Sequence, residues 1–370
     1  MKNSKTESQP KNFPPISYSE YLGTEKLLSL QNSRSREFGA EAHEEMLFII
    51  VHQTYELWFR QILHELDSIL GLFKTDLVRE EDMGTAVGRL SRIVEIQRLL
   101  VDQVSVLETM TPLDFLDFRN MLYPASGFQS VQWRLIENKL GLKASSRLKY
   151  NSQPYTASVK PTEATVMTKS ETEVSLFDAV DAWLARTPFL ATPEFDFKKH
   201  YGEAVRIMLD DDRDSVLRFA KSDEDREKNL KQIEETKSVF ESLFNEDRYK
   251  ELQDKGTFRL QHKSIQAALF ISLYRDQPAF NLPFQLLTRL QDIDELMTTW
   301  RYRHAMMAHR MLGTKIGTGG SSGHSYLKAA TESHRIFGDF FNLATFLIPR
   351  SSLPKLPTSI SKKLGFQYFS

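Results

Sequence analysis

The strongest constraint on the fold is a long stretch without glycine or proline, from Ala42 to Leu70. Within it, residues of mostly apolar and aromatic character recur at steps of three and four, the spacing of one helix face. They are Phe48, His52, Tyr55, Phe59, Ile62, Leu66 and Ile69. Apolar residues on the other faces, Leu47, Ile50, Val51, Leu57 and Trp58, indicate that the middle of the helix is buried nearly all round. We predict one long core helix that stops at Gly71.

Helical signals recur along the rest of the chain. They mark a helix from about Glu81 to Glu108, a short helix capped by Thr111 and Pro112 and ended by Pro124, a helix from the Ser126-Gly127 turn to Gly141, a long helix from Pro283 to Gly313, and an apolar helix from Tyr326 to Leu347. No stretch alternates convincingly enough for a strand. Successive helices with short connections predict an all-α fold, a helical bundle with long core helices.

Two internal segments and both ends depart from this pattern. Residues 143–174 are rich in Ser, Thr, Lys and Pro without periodicity, which predicts a surface excursion or a partly disordered segment. Runs of charge among sparse apolar positions mark about 194–256 as a solvated helical insert. The polar, proline-containing residues 1–15 predict a disordered leader and not a signal peptide. Residues 16–355 would then form one domain, followed by a proline-broken tail, 356–370.

Composition excludes several classes of function. The 48 basic and 49 acidic residues give a net charge of −1, so neither nucleic acid nor an anionic membrane surface is an expected partner. The absence of cysteine excludes disulfides, thiolate catalysis, cysteine zinc sites and iron–sulfur clusters, and it fits the reducing cytoplasm. Any iron must be held by His, Met, Tyr or carboxylate. The apolar run from Met46 to Val51 is far shorter than the ~20 residues of a membrane span.

Two histidines share the apolar stripes of long helices. His52 belongs to the stripe of the first helix, and His304 to a later one with Leu286, Leu290, Ile293, Met297, Trp300, Met307 and Met311. A haem in a helical core needs an imidazole on the iron and a polar distal group, and histidine supplies either. For a single histidine on an apolar face, a hydrogen-bonded core residue is the commoner case. The other histidines, His43, His64, His200, His262, His309, His324 and His334, are interpreted as structural or surface residues.

Arg119 and a glycine-rich loop are further candidates for ligand binding. Arg119 ends the mixed apolar and acidic segment that starts at Phe115, which suits bidentate capture of a carboxylate. A salt bridge to Asp114 or Asp117 is an equally good explanation. The loop 317–323 lacks the Lys-Ser or Lys-Thr of a phosphate-binding loop, so it is not predicted to bind a nucleoside triphosphate. It follows a helix and not a strand, so it is not predicted to bind a dinucleotide either. It is interpreted as a loop that closes over a small ligand with the Thr318 hydroxyl, or as a flexible connector.

At these residues the chain resembles the tryptophan 2,3-dioxygenase family. The resemblance rests on three blocks in order: His43–Phe59; Leu107–Pro112 continuing to Phe118-Arg119 and Pro124–Ser130; and Trp300–His304 continuing to Gly317–Gly323. It extends from Tyr18 to about Pro354, and the charged insert looks like that of the animal members. The fold it implies is a haem-binding helical bundle. The activity it implies is insertion of O2 across the indole C2–C3 bond of L-tryptophan to give N-formyl-L-kynurenine, the first step of the kynurenine pathway.

Roles for individual residues follow from that resemblance. His304 would be the axial iron ligand of a b-type haem, one per subunit and ferrous when active, with Ser126 near the haem. His52 would be the catalytic distal residue, accepting a hydrogen bond from the indole N–H. Arg119 would pair with the substrate carboxylate and Thr318 with its ammonium group. Phe48, Phe115 and Leu122 would line the indole pocket. Tyr18 and Tyr21 would complete a neighbouring subunit's site, which implies a homotetramer.

The chain departs from the family pattern at two positions, and two other functions compete with the one implied by the resemblance. His324 stands where animal relatives usually have Tyr, and Arg303 where they usually have Asn, which concerns contacts that tune the iron ligand. The rival enzyme is an indoleamine dioxygenase with wider substrate tolerance, a sister family that has Ser in place of His52. The rival from another class is a non-catalytic helical scaffold whose histidines are core residues.

Overall fold

The described part of the chain is mostly helical, with almost no strand, in the computed structural model, which confirms the all-α prediction. The structure describes residues 13–74, 78–148, 154–188, 190–313 and 333–365, with single residues 315, 327, 329 and 331. The α-helices are α1 (Tyr18–Leu22), α2 (Thr24–Leu28), α3 (Arg34–Glu37), α4 (Glu44–Leu72), α5 (Glu80–Leu107), α6 (Pro112–Arg119), α7 (Val131–Leu140), α8 (Pro161–Thr172), α9 (Leu176–Leu184), α10 (Phe197–Phe219), α11 (Asp223–Ser242), α12 (Glu246–Asp254), α13 (His262–Leu273), α14 (Pro278–Leu312), α15 (Gly338–Asn342) and α16 (Thr358–Leu364).

Short 3-10 turns and one small hairpin complete the described elements. The 3-10 turns are Asn120–Leu122, Gly127–Gln129, Ala144–Ser146, Leu343–Phe346 and Arg350–Ser352. Strands β1 (Ala191–Thr192) and β2 (Phe195–Asp196) pair antiparallel, with Thr192 opposite Phe195. This hairpin, too short to leave an alternating pattern, is the exception to the prediction of no strands. Among the described helices, none is long and apolar enough to cross a membrane.

The core is built on α4, α5 and α14, with α5 packed against both of the others. Their facing sides bury Tyr55, Phe59, Ile62, Leu66 and Ile69 on α4; Leu90, Ile93 and Leu100 on α5; and Leu286, Leu290, Ile293 and Met297 on α14. Each such side chain contributes roughly 1.5–3 kcal/mol relative to exposure. The Tyr55 hydroxyl donates to the Leu100 carbonyl at 2.8 Å, which fixes α4 against α5. The three helices form a rigid frame for the residues they carry.

The predicted helix boundaries near this frame agree closely with the structure. Helix α5 lies within one residue of its prediction, and α7 ends immediately before Gly141, whose φ of 116° stops it. Helix α4 continues past Gly71 to Leu72, so the predicted stop is wrong by two residues. The longer helix brings Phe73 into the core against Trp183. Helix α14 begins at Pro278 and not at Pro283: Pro278 occupies the first helical position, where its missing N–H has no partner to lose, and Pro283 lies inside the helix.

Two predictions about burial are wrong. Helix α4 is not buried all round, since Ile50 and Leu57 are 46% and 54% exposed. The neighbouring helices cover only part of its circumference. Residues 143–174 are not simply a surface excursion, because 161–172 form α8 and bury Met167 and Ser170. The Asn138 amide donates to the Ser170 hydroxyl at 2.7 Å and thereby holds α8 on α7. Residues 149–153 lie outside the described part of the chain.

The charged insert is helical, as predicted, but it is not wholly solvated. Tyr201 of α10, Phe240 of α11 and Tyr249 of α12 are each buried, and the Tyr249 hydroxyl donates to the Leu260 carbonyl at 2.9 Å. A few aromatic side chains thus attach long, charged helices to the body. Within 356–370, the predicted tail, Thr358–Leu364 forms a helix that buries Ile360 and Leu364.

The predicted apolar helix from 326 to 347 is not continuous. Residues 334–337 are not helical, and the chain resumes a helix only at Gly338–Asn342 before a 3-10 turn. The buried Asp294 carboxylate accepts the Ile336 and Phe337 N–H groups at 2.9 and 3.3 Å. These backbone groups are therefore hydrogen-bonded to a side chain of α14 and not along a helix. Residues 326, 328, 330 and 332 lie outside the described residues.

Candidate functional site

A cavity of about 330 Å³ lies between the long helices and the segment 126–130. Its size falls in the range of small-molecule sites, roughly 300–1,000 Å³. The described residues that line it are Phe48, His52, Tyr55, Glu56, Phe59, Val104, Leu107, Met110, Phe115, Ser126, Gly127, Phe128, Ser130, Trp133, Arg134, Glu137, Trp300, Arg301, His304, Met307, Ala308, Met311, Leu312, Leu327 and His334. The cavity combines a mostly apolar wall with three histidines and a charged cluster.

His304 enters the cavity from α14. Its ring stacks on Trp300, one turn earlier, with centroids 5.2 Å apart and planes 2° from parallel. Burial, with a smaller effect of His52, lowers the pKa of His304 to about 4. The imidazole is therefore neutral at neutral pH, and a neutral imidazole has the lone pair that binds a metal.

His52 faces the same cavity from α4. Its Nδ1 lies 2.7 Å from the Phe48 carbonyl, which can only accept, so Nδ1 carries the hydrogen. Burial lowers the pKa of His52 below its usual value, against the opposing effects of the Phe48 carbonyl and Glu56. The neutral ring thus keeps an unprotonated Nε2, an acceptor for a ligand N–H group.

Three phenylalanines form an aromatic cluster beside His52. Phe48 lies 5.8 Å from Phe115 and 5.6 Å from Phe118 between ring centroids, and the latter two rings meet edge to face at 5.4 Å. Phe115 and Phe118 come from α6, where Thr111 is the predicted N-cap and also forms a capping box with Asp114. Phe48 and Phe115, which line the cavity, offer faces suited to a planar aromatic ligand.

The remaining candidates are placed differently. Ser126 lines the cavity, whereas Arg119 and Leu122 are not among the described residues that line it. Arg119 is the half-buried last residue of α6, one turn after Phe115, and Leu122 lies in the following 3-10 turn. Tyr18 and Tyr21 lie in α1 and are 78% and 75% exposed. Thr318, the loop 317–323 and His324 lie outside the described residues.

Arg303, the departure beside His304, links two helices. Its guanidinium donates to the Val101 carbonyl at 3.0 Å and to the Glu108 carboxylate at 3.1 Å. It therefore holds the His304 turn of α14 against the end of α5, which leads into α6.

A charged cluster that sequence reasoning missed forms one wall. Glu137, 1% exposed, accepts from Arg134 at 3.0 Å and from Arg301 at 2.8 Å, and it also pairs with Arg147. In the described part of the chain, Glu137 is the one carboxylate in contact with these three guanidinium groups, so the cluster has an excess of positive charge. The Nε of Arg134 is buried without a partner among the described residues. Such an arrangement suits an anionic ligand.

His334 also belongs to this wall, although its sequence context predicted a structural or surface residue. It is 2% exposed, its Nε2 accepts the Leu148 N–H at 3.2 Å, and its carbonyl accepts from Arg301 at 3.1 Å. Burial lowers the pKa of His334 to about 4. A signal for the cluster was present in the sequence, since Arg134 and Glu137 are three residues apart and therefore lie on one face of α7.

Comparison with known proteins identifies the family. A family model described as tryptophan 2,3-dioxygenase matches residues 5–347. The chain belongs to the tryptophan 2,3-dioxygenase family. The family prediction from the sequence blocks is confirmed.

Bacterial and animal members of the tryptophan 2,3-dioxygenases are similar over nearly their whole length. The tryptophan 2,3-dioxygenase of Bdellovibrio bacteriovorus is 54% identical, covering 96% of this chain and 99% of that protein. That of Alteromonas mediterranea is 49% identical with the same coverage. The Mus musculus tryptophan 2,3-dioxygenase is 47% identical over 94% of this chain and 86% of its own. The family is haem-dependent, so the histidine-bearing cavity can be assessed as a haem site.

Proposed function

We infer that this chain inserts both atoms of O2 across the indole C2–C3 bond of L-tryptophan and releases N-formyl-L-kynurenine, the first step of the kynurenine pathway. Family membership over nearly the whole chain supports the reaction. The observation that carries the site assignment is that His52 and Phe48 of α4 and His304 of α14 face one cavity. A cytoplasmic location is part of this proposal, supported by the absence of cysteine.

The residues of the cavity fit a haem. His304 would hold its iron, since a neutral, enclosed imidazole is available there. Arg134 and Arg301, which line the cavity, would hold the haem propionates, whose negative charge matches the excess positive charge around Glu137. When bound, one b-type haem per subunit would supply the ferrous iron that activates dioxygen for addition to the indole ring. Ser126 would lie beside it.

The protein's own contribution is to place the substrate. His52 Nε2 would accept the indole N–H, while Phe48, Phe115 and Leu122 enclose the ring. Arg119, one turn after Phe115, would pair with the carboxylate, and Thr318 would contact the ammonium group. Fixing both ends of L-tryptophan holds C2 and C3 in one orientation, which is catalysis by positioning. No nucleophilic side chain is required.

We expect Arg119 and His52 variants to fail differently. Arg119→Ala removes a charge-assisted contact worth about 1.5–3 kcal/mol, so L-tryptophan should bind at least about tenfold more weakly. His52→Ala removes only the acceptor of the indole N–H, which water can replace, so turnover should fall but persist. Steady-state kinetics and L-tryptophan titration of the ferrous protein measure both effects.

Arg98→Ala is a matched control for Arg119→Ala, because Arg98 is paired with Glu95 on the exposed face of α5. Unchanged L-tryptophan binding in Arg119→Ala would remove Arg119 from the carboxylate role. Complete loss of turnover in a haem-replete His52→Ala protein would show instead that His52 is an obligatory base.

Residues at the N-terminus would complete a neighbouring site in a homotetramer. Helix α1 buries no residue on its own chain, although it carries Tyr18, Tyr21 and Leu22. Truncation before Leu22 should therefore lower activity, mainly by raising KM for L-tryptophan, while the free energy of unfolding changes little. Kinetics and denaturant unfolding of the truncated homo-oligomer test this expectation. Wild-type Michaelis parameters in that protein would contradict cross-subunit completion.

Two inexpensive observations separate the function from its rivals. A Soret band in purified, haem-reconstituted protein, sensitive to added L-tryptophan, is expected of the enzyme and not of a helical scaffold. Turnover confined to L-tryptophan, with little use of D-tryptophan or tryptamine, is expected here, because Arg119 and Thr318 are proposed to hold both polar groups of the amino acid. Efficient turnover of all three would favour an indoleamine dioxygenase.

A further inference from the structure

The N-terminal arm, residues 13–29, is attached to the body through a defined set of hydrogen bonds that we name the arm clamp. On α4, the Glu45 carboxylate accepts the backbone N–H groups of Arg34 and Ser35, each at 2.8 Å. Two turns later on α4, the Gln53 amide donates to the Leu30 carbonyl at 3.0 Å and accepts from Gln31 at 2.6 Å. The arm clamp therefore consists of Glu45 and Gln53 with the backbone of 30–35.

Burying the Glu45 carboxylate in this position costs free energy, because the charged group loses its contact with water. Its side chain is 1% exposed, and none of the ion pairs of the described residues includes it. A buried carboxylate without a cation is destabilising unless hydrogen bonds satisfy it, and here two backbone N–H groups do so. The same two bonds fix the direction of the chain at Arg34, because both carboxylate oxygens are used.

The described residues upstream of the clamp contribute nothing to the buried core. None of residues 13–30 is buried, and Phe13, Tyr18, Tyr21 and Leu28 are each more than 70% exposed. An amphipathic segment with this much exposed apolar surface suits contact with another protein surface. Its path is set by the clamp, where the chain first makes buried contacts.

The clamp also lies close to the chain's own cavity. Phe48 and His52, which line the cavity, lie on α4 between Glu45 and Gln53. Helix α3 packs against the 3-10 turn 120–122 that follows Arg119. An arm that leaves beside its own cavity can reach the equivalent cavity across a two-fold axis, and the neighbour's arm then reaches back, because isologous contacts are reciprocal.

We propose that Glu45 and Gln53 are positioning residues that aim the arm, so that Tyr18 and Tyr21 enter the cavity of a neighbouring copy of this chain. This inference rests on the proposed cross-subunit completion of the site. A substitution in the clamp should therefore lower L-tryptophan turnover in the neighbouring subunit, which receives the arm. It should not lower turnover in the cavity of the chain that carries the substitution. A residue with a general structural role would affect the chain that carries it.

Mixed oligomers of two co-expressed, differently tagged chains test the proposal. The acceptor chain is truncated before Leu22 and keeps its cavity, while the donor chain keeps its arm and carries His304→Ala. The donor should restore L-tryptophan turnover to the acceptor. Adding Glu45→Gln to the donor should raise KM for L-tryptophan at least threefold, and Gln53→Ala, which leaves no buried charge unpaired, should act in the same direction.

Two controls distinguish a role in directing the arm from a role in stabilising the fold. Glu41→Gln in the donor makes the same chemical change at an exposed glutamate paired with Arg36, and it should leave the restored activity unchanged. Glu45→Gln placed in the acceptor, which lacks Tyr18 and Tyr21, should also have no effect. Equal restoration by clamp-variant and unmodified donors, or equal loss from Glu45→Gln in either chain, would overturn the proposal.

A third outcome tests the premise that residues of one subunit complete the site of its neighbour. If the unmodified donor restores no activity, cross-subunit completion is wrong and the aiming role falls with it. Product formation by the wild-type homo-oligomer, measured in parallel, distinguishes that result from failure of the proposed dioxygenase function.

Discussion

Replacement of His304 by alanine should abolish stable haem binding and L-tryptophan turnover. The chain has no cysteine to offer a thiolate in its place, and the imidazole supplies the proposed bond between protein and iron. We expect loss of the Soret band and a haem content reduced at least tenfold. The helical fold should persist, because His304 borders a cavity and is not part of the packed core.

His309→Ala is the matched control, since His309 lies one turn and one residue further along α14 and is exposed. It should retain haem and activity. Free imidazole should partly restore haem occupancy to His304→Ala by entering the vacated space. A His304→Ala protein that is loaded with haem and fully active would contradict the assignment of the axial ligand.

Glu137→Gln should be among the most destabilising single substitutions in the protein. Removing this carboxylate leaves Arg134, Arg147 and Arg301 without their shared counter-charge in a buried setting. Breaking one partner of a buried ion pair costs about 3–5 kcal/mol of the free energy of unfolding. Denaturant unfolding at neutral pH measures the difference.

The pH dependence of this loss follows from the pKa of Glu137. Burial alone would raise that pKa, but the three arginines outweigh burial and hold it well below its ordinary value of 4.5. The stabilisation is therefore complete above the unfolded-state pKa and is lost as the pH falls towards the folded-state value. Wild type and Glu137→Gln should converge in stability in acid.

Glu203→Gln gives the comparison, because Glu203 pairs with Arg206 on the exposed surface of α10. Exposed pairs contribute little to stability, so the free energy of unfolding of this variant should barely change. A loss below about 1 kcal/mol for Glu137→Gln, similar to this control, would contradict the role of Glu137 as the centre of the cluster.

Local sequence patterns were sufficient to predict those helices whose buried face and ends are determined by residues close together in the sequence. Helices α4, α5 and α7 follow from apolar spacing and end signals, and α6 follows from the Thr111 cap and Pro112. His52 and His304 stand out because a polar ring interrupts an apolar stripe at the correct spacing. The resemblance to a known family was needed to connect these residues to haem and tryptophan.

Features that depend on distant contacts could not be predicted in this way. Arg301 and Glu137 are 164 residues apart in sequence, so their pairing leaves no local pattern. The same is true of Asp294, whose carboxylate accepts backbone N–H groups of 336 and 337 and stops an otherwise helical sequence. Glu45 likewise looks like an ordinary charged residue in the first turn of α4 until its burial is known.

The most direct test of the central claim is the fate of isotopically labelled dioxygen. Haem-reconstituted, reduced protein is mixed with L-tryptophan and labelled O2, and the product is analysed by mass spectrometry and ultraviolet absorption. Our prediction is a product, N-formyl-L-kynurenine, that carries two labelled oxygen atoms and forms only when haem is bound. Failure of the haem-loaded protein to form N-formyl-L-kynurenine, or a product with one labelled atom and one from water under conditions that prevent exchange, would contradict it.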